Sequence, residues 1–229
     1  MPLRSLDEYR LVASTLGLRL PALHLLRKLL SVEHVYYLTV PMNRLRFPRI
    51  RTDIDFALAT EGDFEEILQG LPAQDARSRT ELVARLLFYR HGFSSCHVGR
   101  NRARQIVSLQ WLIRPADNPL LEKYLRRRRY LLSEHQVMIE NIFIFPAFRG
   151  LGLFPTVNHA TISVAMREGF QICKAYVSKD NVASLNSYFG LGFRIEQLIT
   201  GVHLAGGTWG TIGPQAAAAA PRRSSAHAG

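Results

Sequence analysis

The stretch Glu140-Asn141-Ile142-Phe143-Ile144-Phe145-Pro146-Ala147-Phe148-Arg149-Gly150-Leu151-Gly152-Leu153 decides how this sequence is read. It runs as an apolar strand, a turn marked by Pro146 and two glycines that open a helix. Glycines at 150 and 152 let the backbone approach a ligand closely, and the first N–H groups of the following helix have no partner within it. With about half a unit of positive dipole charge at the helix start, these amides form a cradle for an anion. Competing phosphate motifs fail. The Gly-Lys-(Ser/Thr) ending of a P-loop is absent, and Pro155 stands where a dinucleotide fingerprint has its third glycine.

About 30 residues further on, Asp180-Asn181-Val182-Ala183-Ser184-Leu185-Asn186-Ser187-Tyr188-Phe189-Gly190-Leu191-Gly192-Phe193 reads as a capped helix ending in Gly-Phe. Together the two blocks resemble the GNAT superfamily of N-acyltransferases. Its first signature is Pro-x-x-(Arg/Gln)-x-x-Gly-x-(Gly/Ala), matched by Pro146, Arg149 and Gly152. Its second is Asn-x-x-(Ala/Ser)-x-x-x-Tyr-x-x-x-Gly-Phe, matched by Asn181, Ser184, Tyr188, Gly192 and Phe193. Phe154 departs from the first pattern: its ring either turns into the core or crowds the cradle. The resemblance spans roughly Ile54 to Leu204 and is sharp only over Ile139 to Leu153 and Asp180 to Phe193.

The resemblance implies transfer of an acyl group, most simply acetyl, from acyl-coenzyme A to an amine by direct attack. The backbone amides of Gly150, Leu151, Gly152, Leu153 and Phe154 would hold the pyrophosphate, with Arg149 adding charge. It also implies that the strands flanking the cradle splay, so that pantetheine lies between them and the backbone of Phe143 and Ile144 binds the thioester end. Tyr188 matches the tyrosine that returns a proton to the departing thiolate; the bland reading is that its ring only packs beneath the arm. Asn181 is a good N-cap that also meets the arm, and Ser184 either bonds cofactor or permits close packing. Glu140 is the candidate base. By strand alternation it shares a face with Ile142 and Ile144, and the alternative is a solvated or Arg-paired carboxylate. Glu134 and His135 are lesser candidates.

With 229 residues and 47% hydrophobic content, the chain can bury one core plus an appendage. A net charge of +11 implies attraction to something acidic: a phosphorylated cofactor, a carrier protein, nucleic acid or a membrane surface. An acyl carrier protein is the alternative acyl donor. Dedicated nucleic-acid binding is disfavoured for want of aromatic interleaving, which leaves a non-catalytic module binding an acidic partner as the reading from another class. No apolar run of about 18 residues occurs, so no membrane span is expected. Cys96 and Cys173 sit in strand-like runs without metal-ligand spacing, so no metal is expected and a cytoplasmic, reduced setting fits best.

Along the chain the reading assigns residues 1–50 to a basic, partly helical extension, 51–212 to the acyltransferase domain and 213–229 to a disordered tail. In the extension, a helix covers Leu6 to Leu16, and a second follows Pro21 with Ala22, Leu25, Leu26, Leu29 and Leu30 on one face. The regular domain opens with a strand at Ile54 to Leu58 and a helix capped by Thr60 and Asp63. A helix at Thr80 to Tyr89 follows, then strands at Phe93 to Gly99, Arg104 to Ile113 and Gln136 to Phe145. Next come a helix at 150–168, a strand at Ile172 to Val177, a helix at 182–190 and a strand at Arg194 to Thr200. Within the insertion Pro119 to Glu134, the charge run Glu122 to Arg129 reads as solvated surface. The order predicts an α/β (α+β) fold with a mixed sheet and helices on both faces; the resemblance adds that the sheet is mostly antiparallel.

Overall fold

A computed structural model describes residues 14, 30–48, 50–125, 131–204 and 207–215. Its elements are β1 (Leu30–Pro41), β2 (Ile54–Leu58), α1 (Glu61–Gly70), α2 (Ala76–Arg90), β3 (Cys96–Asn101), β4 (Ile106–Ile113) and α3 (Asn118–Leu125). They continue with β5 (Gln136–Ile144), α4 (Leu153–Arg167), β6 (Ile172–Ser178), α5 (Val182–Gly190), β7 (Arg194–Leu204) and β8 (Gly207–Gln215). Among the described residues the strands form one sheet in the order β2-β3-β4-β5-β6-β1-β7-β8. Every neighbouring pair is antiparallel except β5 and β6.

Helices cover both faces, as the element order requires. On one face Phe64 and Ile67 of α1 and Leu82, Leu86 and Leu87 of α2 pack on Leu109, Trp111 and Met138 of the sheet. On the other, Ile162 and Ala165 of α4 and Leu185 and Tyr188 of α5 pack on Val137, Ile139, Cys173 and Ala175. The start of α1 is capped as its sequence predicts: the Thr60 hydroxyl accepts from the Asp63 amide and the Asp63 carboxylate accepts from the Thr60 amide at 2.7 Å.

Four sequence expectations need correction. First, the boundary at residue 50 fails, because β1 lies inside the sheet. It pairs with β6 from Val35↔Ser178 to Pro41↔Ile172 and with β7 from Leu30↔Leu204 to Thr39↔Arg194. Leu38 and Val40 are wholly buried there, and Leu30, read as the last member of a helical stripe, begins this strand. Val35-Tyr36-Tyr37-Leu38-Thr39-Val40 is a β-branched and aromatic run closed by a proline, which is a strand signal. Second, residues 213–215 belong to β8 rather than to a tail. Third, the insertion after β4 holds a helix that the expected order of elements lacks, α3, and is anchored: Leu121 of α3 and Leu132 sit in the core, and Asn118 exchanges two hydrogen bonds with the backbone of Leu132. Fourth, helix α4 starts at Leu153, because Gly150 and Gly152 both adopt left-handed φ values, 77° and 71°, that no helix contains. The helices expected at Leu6 to Leu16 and after Pro21, apart from Ser14 and Leu30, lie outside the described residues, as do Arg126 to Arg129 and residues 216–229.

Candidate active site

The site forms where β5 and β6 part. Their pairing runs only from Gln136↔Ile172 to Met138↔Lys174, yet β5 continues to Ile144 and β6 to Ser178. Beyond Met138, β5 keeps its ladder with β4 as far as Ser108↔Ile144, while β6 keeps its ladder with β1. The facing edges of β5 and β6 therefore carry backbone groups with no ladder partner across a widening gap.

A bulge in β5 sits beside this gap. Leu109 faces Phe143 but Trp111 faces Glu140, so β5 spends three residues where β4 spends two. Asn141 absorbs the extra residue at φ 54°, the left-handed region that Asn tolerates better than most side chains. One inserted residue reverses the alternation downstream. Glu140 therefore does not share a face with Ile142 and Ile144. Those two pack with Leu153 and Val157 on the α4 side, whereas Phe143 and Met138 pack on the α2 side, where the Glu140 carboxylate meets Tyr176 and feels Arg85.

At the end of β5 the chain passes through Pro146–Phe148 and the two glycines into α4. Cβ atoms built on Gly150 or Gly152 would meet nothing within 4 Å, so the loop faces open space. No hydrogen bond among the described loops is donated by the amides of Gly150, Leu151, Gly152, Leu153 or Phe154. Pro155 is the third residue of α4 and has no N–H, so the arc of free donors ends at Phe154. The Phe154 ring turns into the core and meets the Tyr188 ring edge-on at 5.0 Å, which leaves the loop uncrowded.

The Glu140 carboxyl is pushed up to about 8, by burial first, against the hydrogen bond from Tyr176, the Asn141 amide and the charge of Arg85. Tyr188 is 4% exposed, wedged between Phe154 and Phe193. Burial, and then the charge of Glu140, raise its hydroxyl well above the ordinary phenol range, so it carries its proton throughout the neutral range. Asn181 caps α5, its side-chain oxygen accepting from the Ser184 amide at 3.2 Å, and Ser184 is half-buried in the first turn. Arg149 lies back along β5: its Nε–H donates to the Ile144 carbonyl at 2.9 Å and its guanidinium sits 5.4 Å from the Phe143 ring centre. Glu134 and His135 stand at the other end of β5, where the His135 carbonyl accepts from the amides of Gln171 and Ile172. Cys96 and Cys173 are fully buried on β3 and β6, two strands that are not neighbours, and burial raises both thiols.

Two residues at the site escaped the sequence reading. Arg85 of α2 donates from Nε to the Asn141 carbonyl at 3.0 Å and from Nη2 to the Ile142 carbonyl at 2.9 Å. Arg51 braces the glycine loop, its amide donating to the Thr156 hydroxyl and Nη1 to the Leu151 carbonyl at 3.4 Å. Neither has a sequence signal, since one lies within an amphipathic helix and the other in a loop. A cavity of about 330 Å3, bordered by Arg51, Arg102, Phe148 and Leu151, adjoins the glycine loop. Another of about 500 Å3, bordered by Arg44, Arg46, Phe189 and Arg194, lies by Pro41, which faces the first residue of β6 at the strand end away from the gap.

No protein-family model and no curated protein matches the sequence. Solved structures match the fold. The GCN5-related glucosamine N-acetyltransferase region of a fungal multi-domain GH3 β-N-acetylglucosaminidase is 14% identical with a TM-score of 0.55, over 80% of this chain and 22% of that one. An acetyltransferase of the GNAT family from Colwellia psychrerythraea is 11% identical with a TM-score of 0.51, over 85% of this chain and 71% of that one. A functionally unknown conserved protein from Staphylococcus epidermidis is 11% identical with a TM-score of 0.52, over 77% of this chain and 65% of that one. The chain spans less than a quarter of the fungal protein's length. Two of these three neighbours are described as GNAT or GCN5-related acetyltransferases, and the chain shares their fold. Among the described residues no helix is long and apolar enough to cross a membrane.

Proposed function

We propose that this protein is an N-acyltransferase, in the simplest case an N-acetyltransferase, moving an acyl group from acyl-coenzyme A to an amine by direct attack. The observation that carries the reading is the parting of β5 and β6 beyond Met138 and Lys174, next to a glycine loop with open, undonated amides. The residues fit the co-substrate. A slender arm needs backbone partners along a strand edge, and a pyrophosphate needs an arc of amides at a helix start. Gly150 to Phe154 would supply the arc, and the free edge of β5 at Ile144, next to Phe143 in its ladder with β4, the strand. The Ile144 carbonyl already accepts from Arg149 and has a second lone pair to offer.

Glu140 then takes the proton that the amine sheds as its nitrogen attacks the thioester carbon. A carboxyl poised near 8 matches that task at neutral to mildly alkaline pH. As the carbon–sulfur bond breaks, Tyr188 gives its proton to the sulfur. The turn ends with Glu140 protonated and Tyr188 ionised, and loss of one proton from the carboxyl to solvent with uptake of one by the phenolate resets both.

Thermal melting with acetyl-coenzyme A tests the reading. Ligand at a hundred times its Kd stabilises by about 2.7 kcal/mol, a rise of roughly 5–10 °C for a chain of this size. Polyanions at matched ionic strength should give less, and the acetyl-coenzyme A response should survive salt. No stabilisation by any acyl thioester, free or on a carrier protein, would refute it.

A further inference from the structure

We propose that Arg85 is a positioning residue for this acyl transfer: its guanidinium grips the two carbonyls of the β5 bulge from the α2 side and so fixes Glu140 at the edge of the gap.

The geometry is that of a clamp. Nε takes the Asn141 carbonyl at 3.0 Å and Nη2 the Ile142 carbonyl at 2.9 Å. Nη1 is held by the Glu81 carbonyl one turn back in α2 at 2.7 Å, and the guanidinium sits 4.9 Å from the Phe143 ring centre. One planar side chain thus touches three successive residues immediately after Glu140. The bulge needs such a grip, because it removes two carbonyls from the ladder with β4 and holds Asn141 in a left-handed conformation that costs about 1–2 kcal/mol. A buried carbonyl without a donor adds a further penalty of about 1–3 kcal/mol. Lysine is a poor replacement for this fork, since its donors sit on one rotatable ammonium rather than on two nitrogens fixed in a plane.

The clamp also contributes a charge. Groups that act on Glu140 come from three elements besides its own strand: Arg85 from α2, Tyr176 from β6 and Tyr188 from α5, while Glu81 and Arg149 act on Arg85 in turn. Lys174 is tied to Glu196 at 3.0 Å and lies over the Tyr37 ring, and Arg149 lies 3.9 Å from Glu81. Arg85 is the cation whose charge draws Glu140 down against its burial.

The test compares Arg85→Gln with Arg85→Lys in the full chain, using two readouts. One is the titration of the Glu140 carboxyl followed by carbon NMR, its signal assigned by loss in Glu140→Gln; this needs no substrate and does not depend on the acyltransferase reading. The other rests on that reading and is the pH profile of turnover with acetyl-coenzyme A and an amine the wild type acetylates. Arg85→Gln should move the Glu140 midpoint up, because it removes the cation that favours the ionised carboxylate. Arg85→Lys keeps the charge, so the midpoint should stay within about half a unit while kcat falls roughly 10–100-fold and KM for acetyl-coenzyme A holds. Variants that fold, keep the wild-type midpoint and turn over normally would overturn the proposal. If Arg85→Gln does not fold, Arg85→Lys decides it by the split between unmoved midpoint and lost kcat. Wild type without turnover on any thioester would sink the acyltransferase reading, while the titration arm would still decide the role of Arg85.

Discussion

Replacing Glu140 by Gln separates the chemical reading from a merely structural one, because it should make the protein slower and more stable at once. With a midpoint of about 8, the carboxyl is about one-tenth ionised at pH 7 and nine-tenths ionised at pH 9, so the base alone should raise kcat/KM about tenfold across that range. An aliphatic amine with a reference value near 10.4 adds its own slope over the same interval. An arylamine, neutral throughout, isolates the enzyme's contribution. In Glu140→Gln that slope should vanish and the rate at pH 9 should fall by about 10²–10⁴.

Stability should move the other way. The folded carboxyl binds its proton more tightly than the unfolded one, about 8 against 4.5, so the unfolded state is the first to release it as pH rises. Stability therefore falls between those two values and levels off above the higher one. At 1.36 kcal/mol per unit the loss reaches up to about 5 kcal/mol. Glutamine titrates nowhere, can still accept from Tyr176, and leaves Arg85 its three carbonyls. The variant should thus melt on the order of 10 °C above wild type at pH 9 and together with it near pH 4. Equal melting at pH 9, combined with an unchanged arylamine slope, would refute both the buried carboxyl and its role as base.

Three further outcomes follow from the same structure. Tyr188→Phe should lower kcat about 10–100-fold while leaving KM for acetyl-coenzyme A and the melting temperature nearly unchanged, since the ring contacts with Phe154 and Phe193 remain; unchanged turnover in steady-state assays would remove Tyr188 from the mechanism. Gly99→Ala should destabilise by about 1–3 kcal/mol in urea unfolding, because its Cβ would lie 2.5 Å from the Ser108 hydroxyl and 2.8 Å from the Phe56 ring; a neutral result would mean that β2, β3 and β4 are looser than their packing indicates. A chain starting at residue 51 should fail to fold by circular dichroism, because β6 and β7 lose the strand between them and Cys173, Ala175 and Val177 lose Leu38 and Val40; a folded truncation would contradict the sheet order.

The sequence made the centre of the fold legible, and physical reasons mark where legibility stopped. Gly150, Gly152 and Pro146 could be read because a left-handed turn and a helix start demand few residue types, and Asn181 because only small polar side chains cap well. Thr60 and Asp63 announced α1 for the same reason. Strand β1 was missed although Val35 to Val40 carry a strand pattern. Its partners β6 and β7 lie more than 130 residues away, and nothing local says which gap in a sheet a strand will fill. The helical stripe read at 22–30 ran its last residue into that strand, since apolar residues a few positions apart suit either period over a short window.

The more consequential failure concerns Glu140. Alternation put its side chain with Ile142 and Ile144, and alternation holds only while a strand stays in register. Asn141 breaks the register, and a lone Asn in an apolar strand was the one available hint, since Asn enters the left-handed region more readily than Ile or Phe. The break puts the carboxylate on the α2 face, under Arg85 and beside Tyr176, while the following isoleucines turn to α4. On this reading the bulge sorts the two reactants: the face with Glu140 and the arginines receives the amine, and the gap on the glycine-loop side receives the thioester. A straight β5 would turn Ile142 and Ile144 to the α2 face and Phe143 to the α4 face, taking from Arg85 the ring it stacks on. The inserted residue and the arginine that clamps it are therefore a single device, and removing either should disable the base without touching the cradle.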